Sequence, residues 1–337
     1  MNWKDYLKAD PLPWLLEEGD PGARFLALRD IVCLAENDPN LIAARKAAHQ
    51  HGPIATILAE MHPDDYWINP GPGYNPKYRS TVWSLILLAS LGANIKEDER
   101  IQKAINYYLE QALAPGGQIA SATAPGGTAD CLQGNMCWAL TELGSTDARL
   151  DKAYDWMART VTGEGVAPLG DKSTAQRYYA AKCGPGFACG ANNKLSCAWG
   201  ATKVMLAFSR LPHERWTPVI EKAVKRGIEF MLQDDPATAP WPNGWAAKPS
   251  GNWWKFGFPV FYITDLLQIA DALVTLGSAG DARMRNLIQL ILDKQDKNGR
   301  WALENDYAGK TWGEGGEKKQ PNKWVTLRAL NVLKHLK

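Results

Sequence analysis

Four of the six cysteines lie where their thiols could bind one metal ion. Cys131 follows Asp130, and Cys183, Cys189 and Cys197 lie in or beside one Gly-rich stretch. Thiolates bind Zn²⁺ well, and they have a lowered pKa near helix N-termini. We therefore predict a zinc site with Cys131, Cys189 and Cys197 as ligands and Cys183 as the candidate fourth. Three ligands would leave an open catalytic position, whereas four thiolates would make the site structural.

The same cysteines also fit a simpler interpretation. Cysteine is often an ordinary small buried side chain, and these four do not form the Cys-x2-Cys pairs typical of zinc sites. Cys33 and Cys137 lie within predicted helices, and we assign both to the core. For the other four cysteines the sequence leaves both interpretations open.

Three further residues are candidate catalytic groups. Asp265 lies in an otherwise apolar predicted inner helix that we expect to begin near Trp253–Lys255, with Tyr262 one helical turn before it. Asp130 lies beside the first predicted zinc ligand. A buried carboxylate needs a partner or has a raised pKa, so Asp265 is a candidate general acid and Tyr262 could join it. The alternative is a structural Asp265 that is bonded to an Arg or a Tyr of a neighbouring helix.

Cations and aromatic residues precede several predicted buried helices. Helix N-termini favour negative charge, and added Lys or Arg side chains strengthen this preference. We therefore predict a site for a phosphate or a carboxylate formed by Lys77, Arg79, Lys255 and Lys323. Trp254 is the aromatic residue that we expect against the substrate. The alternative is that these cations only solvate loops.

Helices must position these residues, because the chain repeats one helical pattern. One kind of segment is apolar on most sides, as buried helices are. It occurs six times, at 24–33, 81–91, 135–143, 202–211, 266–276 and 324–336. Four of these six segments are followed by Gly or Pro, which end helices. The segments that follow have one charged face, as outer helices do; they are 101–109, 150–157, 220–228 and 284–292. Trp67, Trp245 and Trp301 lie in the intervening loops, where we expect them to clamp outer to inner helices.

Repeated helix pairs must stack to bury their apolar faces. A closed ring achieves this, whereas an open solenoid would leave apolar edges at both ends. We therefore predict an all-α fold with a single (α/α)6 toroid over residues 1–337, in which residues 1–20 form a closing segment.

The run Gln295–Trp301, a Q-x3-G-x-W pattern between an outer and an inner helix, resembles the repeat of the α/α toroid superfamily. That group includes squalene-hopene cyclases and protein prenyltransferases. The resemblance spans residues 20–337 and implies that the inner-helix N-termini meet at one rim, where the cysteines and lysines lie. It implies little about the reaction. The Asp-x-Asp-Asp acid motif of the cyclases is missing, and the Asp, Cys and His zinc ligands of the prenyltransferases do not match either.

Composition excludes other classes of protein. The 337 residues have a net charge of +2 with scattered Lys and Arg, which does not suggest nucleic-acid binding. We see no apolar run long enough for a membrane span or a signal peptide, so we expect a cytoplasmic protein. The sequence does not indicate an oligomeric state.

Three functions fit these features. The first is a terpenoid-cyclase- or prenyltransferase-like enzyme that holds a hydrophobic, isoprenoid substrate with an anionic head in an aromatic cavity, with zinc at the rim. The second is a carbohydrate-active toroid, which would need two acids about 5–10 Å apart in an open cleft. The third is a binding protein without catalysis, in which four thiolates close the zinc site. The 15 Trp residues fit the first two functions.

Overall fold

A computed structural model describes residues 2–122, 127–165, 182–313 and 315–336. These residues form helices joined by loops, and isolated β-bridges are their only extended pairing. The prediction of an all-α fold is confirmed. The α-helices are α1 Leu12–Leu15, α2 Pro21–Leu26, α3 Pro39–Gln50, α4 Pro53–Ala59, α5 Thr81–Ser90, α6 Glu99–Ala112, α7 Asp130–Glu142, α8 Arg149–Thr162, α9 Ala198–Arg210, α10 Pro218–Leu232, α11 Leu266–Leu273, α12 Arg285–Asp293 and α13 Lys323–Leu333.

The helices form an inner and an outer layer. The inner helices α5, α7, α9 and α13 are buried over most of their residues, as segments that are apolar on most sides must be. The outer helices α6, α8, α10 and α12 bury one face and expose charged residues on the other. Helices α2 and α11 complete the inner layer, and each continues into a π-helical turn, Ala27–Ile31 and Val274–Ser278.

The inner layer closes into a ring. Helix α5 packs on α7, α7 on α9, α9 on α11 and α11 on α13, and α13 packs back on α2. Helix α2 meets the end of α5 where Leu26 and Phe25 lie against Gly92. An open solenoid would leave one of these contacts unmade.

Helices α7 and α9 approach most closely, because glycines face the partner backbone. A Cβ at Gly134 would lie 2.3 Å from the carbonyl carbon of Lys203, and one at Gly200 would lie 2.8 Å from the Cβ of Asp130. Only hydrogen fits in these gaps, so the two glycines set the spacing of this pair.

Two of the three predicted tryptophan clamps are confirmed. Trp67 donates through Nε1 to the Ile57 carbonyl, and its backbone N–H donates to the hydroxyl of Thr81. Trp301 repeats this pattern with Ile291 and Thr326. Each indole therefore joins an outer helix to the start of the next inner helix. The prediction for Trp245 is wrong, because that side chain is 73% exposed and bonds to the loop carbonyl of Ala191.

The segment before α11 differs from the sequence expectation. We expected an inner helix to start near Trp253–Lys255, with Asp265 inside it, but α11 begins at Leu266. Only the short 3-10 turn Gly251–Trp254 forms before it. Residues 255–264 are held outside a helix because the Phe256 carbonyl accepts from Glu304 N and the Phe258 N–H donates to the carbonyl of Asn305. A proline at 259 also lacks the N–H that a helix would use.

The N-terminal segment lies beside the last repeat loop. Lys8 bonds Gln295 twice, through its backbone N–H to Oε1 and through Nζ to the carbonyl, each at 2.6 Å. Described residues before α2 form only the 3-10 turn Trp3–Tyr6 and α1, so they supply no full outer helix. The count of six complete helix pairs stays a prediction.

Candidate functional site

The inner ring encloses a cavity of about 430 Å³. Every inner helix contributes to its wall, and the contributing residues lie in the C-terminal halves of most of these helices. The C-terminal ends of α7, α9 and α11 meet where Arg210 contacts Glu142 and Asp271. Lys334, which follows α13, contacts Asp30, which follows α2, so these two helices end beside each other as well. The apolar wall residues include Leu26, Ala89, Trp138, Leu206, Leu267 and Leu327.

The base of the cavity is aromatic. Trp324, near the start of α13, stacks on Phe258 with ring centroids 4.9 Å apart and planes 8° apart. Both rings line the cavity, and so does Val260. Trp138 adds a third aromatic wall nearer the mouth. An apolar molecule with a planar or cationic part would contact the faces of these rings.

A buried ion pair lies one turn above this base. Arg328 binds the carboxylate of Asp265 through both terminal nitrogens, at 2.6 and 2.8 Å. The same carboxylate accepts from the backbone N–H groups of Gly257 and Gln268, at 3.2 and 3.0 Å. Asp265 is 3% exposed and caps α11. These four donors occupy both carboxylate oxygens, so the geometry favours the structural alternative for Asp265.

A buried lysine lies behind the ion pair. Lys203 of α9 is fully buried, and its Nζ donates a 2.6 Å hydrogen bond to Gln268 Oε1. Burial lowers the pKa of Lys203 to about 7, although Asp265 acts in the opposite sense, and Arg328 lowers this pKa further. We did not single out this residue from the sequence. The sequence does contain a signal for it, because Lys203 is a charged residue inside an apolar helical segment. The same reasoning identified Asp265.

The pKa of Lys203 predicts how stability changes with pH. In the unfolded chain this amine keeps its proton up to about pH 10.4. Between about pH 7 and pH 10 the unfolded state therefore binds more protons than the folded state, and stability rises with pH by at most about 1.4 kcal/mol per unit. The unfolding free energy of the wild type minus that of Lys203→Met should therefore become more positive between about pH 7.5 and pH 8.5 in urea titrations. A difference that is constant with pH would contradict the lowered pKa.

The mouth of the cavity is charged. Arg210 lies between two carboxylates, with nitrogens 2.8 Å from Glu142 and 2.7 Å from Asp271. Burial alone would lower the pKa of Arg210, but Asp271 and Glu142 raise it. Arg29 pairs with Asp30 at 2.6 Å. Two guanidinium groups and three carboxylates meet here, so the rim is polar and these five groups give it no excess of positive charge.

Lys334 differs from the other cations at the mouth. Its Nζ donates to the backbone carbonyl of Asp30 at 2.9 Å. Within the described ranges no carboxylate lies in ion-pair distance of this ammonium group. Lys334 therefore has positive charge available for an anionic ligand.

The open end of the ring is not the one that the sequence favoured. We expected the site at the N-terminal rim, but the cavity wall lies towards the C-terminal ends of the inner helices. The other end is filled by aromatic rings from the long loops. Tyr78 is central there, with ring centroids 4.5 Å from Tyr307, 5.3 Å from Phe261 and 5.3 Å from Trp83. Tyr262 stacks at the edge of the same cluster.

The predicted anion-binding cations at that rim have separate partners. The Lys77 ammonium lies 4.4 Å from the centroid of the Tyr262 ring, and Arg79 lies 5.2 Å from that of Trp312. Lys323 pairs with Glu17 at 3.0 Å. Lys255 is exposed, and Trp254 donates to the Ala237 carbonyl. These contacts do not bring the five residues to one point, and an anion site there stays a prediction.

Three of the four predicted zinc ligands lie in two hydrogen-bonded pairs near the starts of α7 and α9. Cys183 is paired with Asp130, and Cys189 with Cys197. The hydrogen bond with the Cys197 thiol lowers the pKa of Cys189 to about 6, against the effect of burial. Burial raises the pKa of Asp130 to about 8, while the neighbouring Cys183 thiol acts in the opposite sense. Burial also raises the pKa of Cys131, to about 11, with Asp130 and Cys189 adding to the shift.

This cluster is arranged as pairs. In the part of the chain that the structure describes, no three His, Cys, Asp or Glu side chains are grouped to hold a metal ion. Both carboxylate oxygens of Asp130 are buried without a hydrogen bond of normal geometry from a described residue. Zinc binding by the four thiols stays a prediction.

Comparisons with known proteins add little. No family model matches the chain, and no curated protein matches it. Among solved structures, the type II terpene cyclase MstE from Scytonema, in its apo form, is 13% identical, with a TM-score of 0.32 over 87% of this chain and 97% of that chain. A variant of MstE in complex with merosterolic acid A is 11% identical, with the same TM-score over 88% and 97%. The ring architecture is established by the helix contacts described above.

No helix among the described residues is both long and apolar enough to cross a membrane.

Proposed function

We propose that the protein is an enzyme that binds a small molecule with an apolar, isoprenoid-like body and an anionic head in the central cavity. The observation that carries this proposal is the separation of apolar and charged residues along one cavity. Its base and walls are aromatic and aliphatic, and Lys334 and the paired arginines surround its mouth. The volume of about 430 Å³ is in the range of ligand pockets.

The two ends of the cavity suit different parts of such a molecule. The apolar body would lie against Trp324, Phe258 and Trp138, where burial and aromatic contact are favourable. The anionic head would contact the Lys334 ammonium at the mouth, where water still reaches it. The faces of Trp138 and Trp324 would also stabilise positive charge that develops on the bound chain, as in terpenoid-cyclase-like chemistry.

The carbohydrate-active alternative has one observation in its favour. Glu142 and Asp271 both line the cavity mouth and flank one guanidinium. That guanidinium holds both carboxylates, whereas a glycosidase needs one of its two acids protonated. We therefore rank this alternative second, and sugar binding is an outcome of the test below.

Filling the cavity should weaken ligand binding. Leu206 lines the wall and is 5% exposed, so Leu206→Trp places an indole in the space of the ligand body. We expect the affinity for farnesyl diphosphate to fall about tenfold or more, which corresponds to about 1.4 kcal/mol. Isothermal titration calorimetry on both proteins measures the change, and gas chromatography of extracts reports any cyclised or hydrolysed product.

A matched control separates cavity filling from the general effect of a new Trp. Leu195→Trp adds the same side chain at a position that is 44% exposed and lies in the loop before α9. Its affinity should equal that of the wild type. Equal affinity of both variants, or binding of oligosaccharides in place of the prenyl compound, would contradict the proposal.

Zinc at the thiol cluster is a separate proposal. It is supported by donor chemistry, namely the free thiols of Cys183, which is paired with Asp130, and of Cys189, which is paired with Cys197. No part of the cavity proposal depends on it. Protein purified without added metal should contain about one zinc per chain, and Cys197→Ser should release most of it. A zinc content far below one per chain in the wild type would remove the proposal.

A further inference from the structure

The Lys203 amine lies at the level of the cavity floor. Lys203 is on the face of α9 that also bears Leu206 and Arg210, about one and two turns nearer the mouth, and both of these residues line the cavity. Gln268, which accepts the hydrogen bond from Nζ, lines the cavity as well. Lys203 itself is fully buried, so the cavity-lining Gln268 side chain would have to move away from Nζ before the amine could reach a bound molecule.

The surroundings of Lys203 make its nitrogen reactive. In the described part of the chain no carboxylate forms an ion pair with it, so burial is not offset by a salt bridge. Asp265 and Arg328 act on it in opposite senses, and the Cys131 thiol is the other titratable group nearby. An amine that loses its proton near neutral pH is a nucleophile, as in lysines that form imines with carbonyl compounds.

A purely structural role does not account for a lysine here. A hydrogen bond to Gln268 could come from a neutral donor, which would avoid the burial of an ammonium group. The position also faces the close approach at Gly134, which holds the Lys203 backbone in place. The scaffold therefore positions a nucleophile beside a ligand-sized cavity.

We propose that Lys203 is a catalytic residue that forms an imine with an aldehyde or ketone group of the molecule bound in the cavity. Nζ adds to the carbonyl carbon to give a carbinolamine, and loss of its hydroxyl with a nitrogen proton releases one water and leaves the C=N bond. Asp265, which favours the charged state of this nitrogen, would also favour the protonated imine. This inference rests on the proposed function and narrows the substrate to an apolar carbonyl compound.

Reductive trapping tests the imine. Sodium cyanoborohydride is added with citral, an isoprenoid aldehyde, or with propanal, which is small enough to need no recognition of the apolar body. Peptide mapping of the wild type should find one major adduct, on Lys203, for both aldehydes. Lys203→Arg and Lys203→Met should each lower the total amount of aldehyde bound per chain by about tenfold or more. Lys225→Arg, on the exposed face of α10, should leave that amount unchanged. Circular dichroism checks that each variant is folded. If Lys203→Arg does not fold, because the larger side chain does not fit, Lys203→Met alone provides the test.

The outcomes separate this inference from the proposed function. Labelling by propanal that is spread over surface lysines, or is unchanged in Lys203→Met, overturns the imine. If farnesyl diphosphate binds and neither aldehyde labels Lys203, the imine is wrong and the cavity proposal stands. If both aldehydes label Lys203 and no anionic isoprenoid binds, the imine stands and the anionic-head proposal is wrong.

Discussion

Replacing Asp265 by alanine should lower the free energy of unfolding by about 3 kcal/mol, because the Arg328 guanidinium, whose side chain is only 20% exposed, loses its counter-charge. The carboxylate is 4% exposed and accepts four hydrogen bonds, two from Arg328 and two from backbone N–H groups. The N-cap of α11 is lost in the same change, which adds to the effect. Urea unfolding followed by circular dichroism measures it.

Two controls isolate the buried charge as the cause. In the double variant Asp265→Leu with Arg328→Met, both charges are absent, and most of the lost stability should return. Glu99→Ala removes one partner of the exposed pair with Lys103, and we expect a change of about 0.5 kcal/mol or less. A loss of less than about 1 kcal/mol in Asp265→Ala would show that water reaches the guanidinium.

Gly134→Ala should lower the free energy of unfolding more than the same substitution at any other glycine of the inner helices. The added Cβ would lie 2.3 Å from a backbone carbon of Lys203, where ordinary contact begins at 3.4 Å, so α7 and α9 must separate by about 1 Å. Alanine normally stabilises a helix by about 1 kcal/mol relative to glycine, but overpacking against a rigid backbone opposes this by about 1–3 kcal/mol or more. We expect a net loss of about 2 kcal/mol in thermal or urea unfolding.

The same change should also weaken ligand binding, because Asn135 and Leu206 line the cavity on the two helices that separate. Gly251→Ala is the matched control, since a Cβ at that exposed position meets no atom within 4 Å. That control should lie within about 0.5 kcal/mol of the wild type. A stabilised Gly134→Ala variant would mean that the two helices pack further apart than described.

The pattern of helices could be predicted because its signals are local. Apolar segments that stop at Gly or Pro alternate with segments that have one charged face, and the tertiary structure keeps that alternation. Trp67 and Trp301 were predictable for the same reason, since each lies between the two helices that it joins. Trp245 fits the pattern in sequence, but the Asn192 side chain accepts from Gly244 N in its loop, and the indole is turned to solvent.

The ion pairs of the site could not be predicted in the same way. Asp265 and Arg328 are 63 residues apart, and Lys203 and Gln268 are 65 apart. Only packing of one inner helix on the next brings them together. The sequence did indicate that a buried Asp265 would need a partner, but it could not say which of the 38 Lys and Arg residues that partner would be.

The sequence by itself determined the layered helices and the buried character of the inner ones. Tertiary structure decided which end of the ring holds the cavity. Long loops from distant parts of the chain fold over the N-terminal rim, where Tyr78, Phe261 and Tyr307 pack together and fill the space. The C-terminal rim has only short turns, so the cavity lies towards that end. No local sequence pattern predicted the charged residues that surround it there.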